Sequence, residues 1–435
     1  MKKSFSSRGL LLGLVFFAGN AYPQLDESER AIIDWVDANT VVPIELLENI
    51  VNIGSGTKTT AGVREVGSVL RAELDEVGLE TEWIELPSEM NRAGHLVGKL
   101  DGARGKKMLL IGHLDTVFEV DDGFQAYARE GNIATGPGID DMKSGDVVIV
   151  YALKALQAVG VLDGMQIIAF YTGDEEFAGR PLSISRRDLI ESGKWADVAL
   201  GFEAGQHFDG TDWATVARRG ASGWRLEVTG RQAHSSQVFS EEVGAGAIFE
   251  VARILNAFYD RVRGEEYLTF NAGAILGGTT VEYDYELNRG TAFGKTNVVP
   301  NTVVVHGGIR TISPEQLERA QEGMLSVIVN SLPHTTATLT FDEGYPAMAP
   351  TAGNMVLQEM FSEINEALGR GPMLALDPLK RGAADISFVA PYADALAGLG
   401  GLGKGGHSPN ESFEINSMSL AVKRAAILMY RLSNQ

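Results

Sequence analysis

Three short apolar runs in this chain end directly in groups able to bind a metal or move a proton. Residues 108–112 lead into His113-Leu114-Asp115, residues 166–171 into Asp174-Glu175-Glu176, and residues 198–202 into Glu203. Apolar runs of this length, bounded by turn residues, read as buried strands. Helical spacing precedes them at 63–77, separates the first two at 145–159 and returns near 354–368 and 417–432. Strands alternating with helices predict an α/β domain, a mixed sheet flanked by helices. Such sheets carry their ligand sites beyond the carboxyl ends of the strands, where these acids and His113 fall.

The rhythm changes in the middle of the chain. Strand 224–228, helix 244–262, strands 267–276 and 302–310, helix 314–329 and strand 335–341 spell a βαββαβ unit. Since 435 residues exceed what one core usually organises, the expected layout is an α+β, ferredoxin-like domain at 222–342. It interrupts a catalytic domain made of residues 22–221 and 343–435. Residues 30–78 read as two helices, and the glycine-rich stretch 398–406 as a mobile loop before His407.

The first residues, Met1-Lys2-Lys3, then Arg8, an apolar run over 10–18 and Gly19-Asn20-Ala21, have the order of a secretory signal. A signal peptide over residues 1–21 and a periplasmic or secreted protein are expected. That run is too short to span a bilayer, and no later run nears the ~20 apolar residues that a membrane helix needs, so no stable membrane anchor is expected. Cysteine is absent, which excludes disulfides and thiolate ligands, so any metal must be held by His and carboxylates. A net charge of −20 argues against a nucleic-acid partner.

Each motif taken alone has a plain explanation. His113 and Asp115 lie two apart at a strand end and so share a face, where a carboxylate can orient a ligand imidazole; a surface hydrogen bond would look the same. In Gly136-Pro137-Gly138-Ile139-Asp140-Asp141-Met142-Lys143, either Asp140 or Asp141 could simply cap the following helix. The acids at 174–176 could be a solvated loop. Together with Glu203 and with His407, in Gly405-Gly406-His407-Ser408-Pro409-Asn410-Glu411, they form an ordered set of two histidines and three further carboxylates at sheet edges. Such a set suits zinc, with open positions for water.

These segments resemble the dizinc exopeptidase family that includes bacterial glutamate carboxypeptidase, aminoacylase and succinyl-diaminopimelate desuccinylase. Its HxDTV segment is matched by residues 113–117, its Gly-x-x-Asp-x-Lys loop by 138–143 and its Asp-Glu-Glu triplet by 174–176. The resemblance implies two Zn2+ per chain, with Co2+ or Mn2+ as substitutes. Asp141 would be shared, with His113 and Glu203 completing one site and Glu176 and His407 the other. It also implies a cis peptide at Asp141-Met142, Glu175 as general base acting on a metal-bridging water, and Asp115 as the orienting acid.

The central unit is then implied to be a lid through which the protein forms a homodimer. His234, in Gly230-Arg231-Gln232-Ala233-His234-Ser235, matches an oxyanion-stabilising position, while Asn297, Arg310 and Gly382 match substrate-binding positions. The implied activity is hydrolysis of an amide bond in small peptides or N-acyl amino acids. Tyr345 stands where the glutamate carboxypeptidase pattern has Arg, and Arg381-Gly382-Ala383-Ala384-Asp385 replaces its Gly-Gly-Gly-Thr-Asp run. A neutral or apolar C-terminal residue is therefore expected in the substrate, unless Lys380 or Arg381 supplies the missing cation. A non-catalytic metal- or peptide-binding protein on the same scaffold is the alternative. The intact ligand set argues for the enzyme, because such acids are costly to bury without metal.

Overall fold

A computed structural model describes residues 25–285 and 288–435; the signal sequence expected over 1–21 lies outside these. Its central sheet has six strands in the order Glu80–Ile84, His95–Leu100, Met165–Thr172, Arg104–His113, Val198–Gly201 and Asp394–Ala397. The last four run parallel to one another and the first two pair antiparallel, so the sheet is mixed. The parallel strands are apolar along most of their length because both faces are covered. One face packs on the helices Ser144–Ala158 and Ser417–Leu432, and residues 144–153 are buried without a break. The other face packs on Leu182, Leu189, Ile386 and Val389.

Among the described residues three helices precede the sheet, where two were expected: Glu27–Ala38, Val42–Val51 and Thr60–Val77. The first is announced by a capping box, in which Asp26 accepts the Glu29 amide and Glu29 accepts the Asp26 amide. Residues 398–401, expected to be mobile, are buried. A Cβ on Gly400 would stand 2.6 Å from the Phe202 carbonyl oxygen and 2.8 Å from that of Glu203. Glycine here permits close backbone packing against the Glu203 strand end rather than flexibility.

The middle of the chain forms a four-stranded antiparallel sheet in the order Thr269–Gly278, Thr302–Arg310, Ser222–Thr229, Thr336–Phe341. The helices Ala247–Arg261 and Pro314–Ile328 accompany it. Its separate core is built on Trp224, Phe258, Val305 and Met324. An additional hairpin, Thr280–Asp284 with Arg289–Phe293, extends beyond this sheet. No helix among the described residues is long and apolar enough to cross a membrane.

Candidate active site

The strand Arg104–His113 is buried over its last six residues, and the hydrogen bonds of its parallel neighbours fix where it ends. His113, 2% exposed, has Nε2 3.3 Å from Asp141 Oδ1. The other Asp141 oxygen, Oδ2, lies 3.1 Å from His407 Nε2, which is also 3.1 Å from Glu176 Oε2. Asp141 thus stands between two imidazoles, one on each of its oxygens. Donor atoms of His113, Asp141 and Glu176 fall within 4.8 Å of one another. The Asp141-Met142 peptide is cis, as the resemblance implies.

Asp115 is fully buried and holds the triplet in place. Its Oδ1 accepts the Glu175 amide at 2.9 Å, and its Oδ2 accepts the Glu176 amide at 3.1 Å and the Thr57 hydroxyl at 2.6 Å. For His113 Nδ1 the nearer partner is the Asp115 main-chain carbonyl at 3.0 Å, with the carboxylate at 3.5 Å. Asp115 therefore orients the imidazole partly through its backbone, while its carboxylate mainly positions Glu175 and Glu176.

Charges in this array are strongly interdependent. Burial opposes the charge on Asp141, but hydrogen bonds from His113 and His407 outweigh it and hold the carboxyl well below its usual range. Hydrogen bonds to Asp141 and Glu176 lift His407 to about 11. Burial pushes Glu176 up to about 7 and Glu175 well above the carboxylate range. Glu176 Oε1 is buried without a hydrogen-bond partner. Two carboxylates and two imidazoles converging with an unfilled acceptor fit dications, which would take the place of the shared protons.

Glu203 borders the same small cavity as His113 and Glu175. Its Oε2 is ion-paired with Arg218 and, at 3.2 Å, with Arg381. Arg218 also donates to the carbonyl of Gly382 at 3.2 Å. Arg381 is thus engaged with a proposed ligand, while Lys380 lies over the Phe208 ring at 4.0 Å.

The small domain's residues stand elsewhere. His234 is exposed on a two-stranded ladder, where it contacts Ser236 Oγ at 2.8 Å, and Asn297 is exposed in the turn before the opposite strand, its carbonyl accepting the Ser235 amide at 2.9 Å. Arg310 is exposed at the end of Thr302–Arg310. Burial and the charge of Arg310 together lower the pKa of Arg219.

Two supports escaped sequence reasoning. Glu411, fully buried, accepts the amides of Gly138 at 3.1 Å, Asp140 at 2.8 Å and Asp141 at 2.9 Å. Arg186, also fully buried, donates to Asp174 at 2.6 Å, Asp385 at 2.7 Å and the Tyr345 hydroxyl at 2.8 Å. Tyr345 in turn donates to the Glu175 carbonyl at 2.8 Å, so its hydroxyl is already committed. Glu411 belongs to a motif already noted around His407, whereas nothing local marks Arg186.

The model of Peptidase family M20/M25/M40 matches residues 109–431. Carboxypeptidase G2 from Pseudomonas sp. (strain RS-16) is 27% identical over 401 residues, 90% of this chain and 89% of that protein. Among solved structures, aminopeptidase PepT from Bacillus cereus has a TM-score of 0.70 at 18% identity, covering 90% of this chain and 98% of its own. A dinuclear metal-binding M20 peptidase from Bacillus subtilis has a TM-score of 0.60 at 12% identity, covering 91% and 98%. With a family model spanning well over half its length and ending beyond His407, the chain belongs to peptidase family M20/M25/M40, as a metallohydrolase of peptide bonds.

Proposed function

We propose that the protein is an exported dizinc exopeptidase, of carboxypeptidase or dipeptidase type, that hydrolyses small peptides or N-acyl amino acids. The observation that carries this reading is the Asp141 carboxylate with one oxygen on His113 and the other on His407, an arrangement suited to sharing one carboxylate between two cations. His113 and Glu203 would hold one ion, Glu176 and His407 the other. When bound, such ions polarise the scissile carbonyl and lower the pKa of water towards neutrality.

The chain's own groups do the rest. Asp115 fixes the main chain of Glu175, whose carboxyl is free of metal duty and able to take a proton from the attacking water and return it to the leaving nitrogen. Adjacent glutamates differ in role because Glu176 faces His407 and Glu175 does not. Arg310 would grip the substrate's terminal carboxylate in a bidentate fork. His234 and Asn297 would arrive by closure of the ferredoxin-like lid or from a second subunit. Exposed Phe239, Ile248, Phe249 and Phe293 on the small domain support homodimerisation there.

The test is metal stoichiometry, followed by a turnover screen of zinc-loaded protein on dipeptides and N-acyl amino acids with varied C-terminal residues. Two ions per chain are expected. Asp141→Ala should lose both and His407→Ala chiefly one, and a native stoichiometry of one would refute the shared site.

A further inference from the structure

Beside His407 opens a cavity of about 690 Å³ whose walls are Val117, Phe118, Gly123, Phe124, His407 and Pro409. Asp122 is the one carboxylate among the described residues that line it. The Phe118 and Phe124 rings meet edge-on, 5.1 Å apart at 67°, and form an aromatic wall. Its volume lies within the range of small-molecule sites, and its lining is mostly apolar, as those of such sites are.

The wall is preformed. Glu119 accepts the Lys58 amide at 3.0 Å and the Thr59 hydroxyl at 2.9 Å, and its carbonyl accepts Gln125 Nε2 at 2.7 Å. Asp122 accepts the Glu119 amide at 2.7 Å, and Thr116 Oγ1 accepts that of Phe118 at 3.2 Å. A loop tied at so many points keeps its aromatic face in place without a ligand.

Location decides what this groove receives. His407 lines it and at the same time touches Asp141 and Glu176. All its walls belong to the large domain, whereas Arg310, His234 and Asn297 belong to the small one. A substrate whose terminal carboxylate lies on Arg310 and whose scissile carbonyl lies at Asp141 keeps its terminal residue, side chain included, on the Arg310 side of the scissile bond, which leaves the acyl part to the large domain. Resting on the exopeptidase reading, we infer that this groove is the acyl-side specificity pocket. It takes a bulky uncharged apolar group, aromatic or branched aliphatic, and the Asp122 carboxylate turns away an acidic one.

The test compares N-acetyl-, N-benzoyl- and N-succinyl-leucine as substrates of the zinc-loaded protein. Benzoyl should exceed acetyl in kcat/KM by roughly 10–100-fold, the span that a filled apolar pocket gives, and succinyl should fall below acetyl. Phe124→Ala should shrink the benzoyl-to-acetyl ratio, and Phe124→Glu, which sets a second carboxylate in the apolar wall, should shrink it too, with metal content and melting temperature checked in both. Equal native rates for acetyl and benzoyl, a preference for succinyl, or a ratio that neither variant moves would overturn the pocket alone. Cleavage of none of these amides, nor of any dipeptide, by protein holding two ions would overturn the exopeptidase reading and the pocket with it.

Discussion

Glu411, 270 residues beyond Asp141, accepts the Asp141 amide at 2.9 Å and ties the loop carrying that carboxylate to the segment carrying His407. Burial pushes Glu411 up to about 7, against the amides that favour its charge. Glu411→Ala would strand three buried amides at about 1–3 kcal/mol each before relaxation. The expected outcome is a lower melting temperature and metal affinity weakened roughly 10–100-fold, as for other groups that orient ligands. Glu411→Gln, which keeps an acceptor oxygen, should lose far less. Calorimetric titration with Zn2+ checks both variants, and unchanged affinity in Glu411→Ala would remove Glu411 from the site.

Glu175→Gln should abolish turnover and leave metal content unchanged, because the proposed role is proton transfer. General acid–base groups contribute ~10²–10⁴-fold, and the loss should reach the upper end where one group acts first as base and then as acid. Metal analysis beside kcat decides it: zinc lost in parallel with activity would make Glu175 a ligand instead.

How far the sequence could be read depended on how local each signal was. The strand His95–Leu100 and the helix Ser417–Leu432 follow from hydrophobic pattern within their own residues. The grouping of His113, Asp141, Glu176 and His407 was legible because each sits at a strand end or in a turn-rich motif. Arg186 was not, since its value lies in Asp385, 199 residues away, and in the Tyr345 hydroxyl, 159 away. The glycines at 398–401 were misread because composition cannot separate a flexible loop from one packed against the Phe202 and Glu203 carbonyls. In the sequence Tyr345 stands only for a lost cation, whereas in the structure its hydroxyl accepts from Arg186 and donates to the Glu175 carbonyl.

Asp212 gives a pH dependence separate from the metal site. It receives Arg424 Nη2 at 2.5 Å, Asn365 at 3.1 Å and His207 at 2.7 Å, joining the Ala352–Ala367 and Ser417–Leu432 helices to the strand Thr211–Ala214. Burial opposes its charge, but Arg424, Arg370, Asn365 and His207 outweigh it and hold the carboxyl down to about 2. An unfolded Asp titrates near ~3.9, so the unfolded state binds the proton more readily. The stabilisation is therefore complete above about pH 4 and disappears as pH falls through about 2. Asp212→Asn should cost about 3 kcal/mol at pH 6, since it leaves the buried Arg424 guanidinium without its counter-ion and with only the neutral Asn365 oxygen. Denaturant titrations of the metal-free native and variant proteins at pH 6, 4 and 2 should converge at the lowest pH; a constant gap would contradict the assignment.

Recognition of the substrate's charged end is expected to depend on Arg310. It lies close enough to Arg219 to depress that residue's pKa together with burial, and Arg219 Nε is buried without a partner. Two guanidiniums held near each other repel, Asp377 offsets only part of that repulsion at Arg219, and a substrate carboxylate would offset more. An exopeptidase also needs one fixed end to set which bond meets the metals. Amidating the substrate's C-terminus should therefore lower kcat/KM roughly 10–100-fold, the value of a charged hydrogen bond of ~1.5–3 kcal/mol. Arg310→Lys keeps the charge but loses the planar fork, so KM should rise. If the grip also aligns the scissile carbonyl, kcat should fall as well. Free-acid and amidated substrates cleaved equally well by the native protein would return Arg310 to a structural role, and recognition would have to be sought at Arg218 and Arg381 beside Glu203.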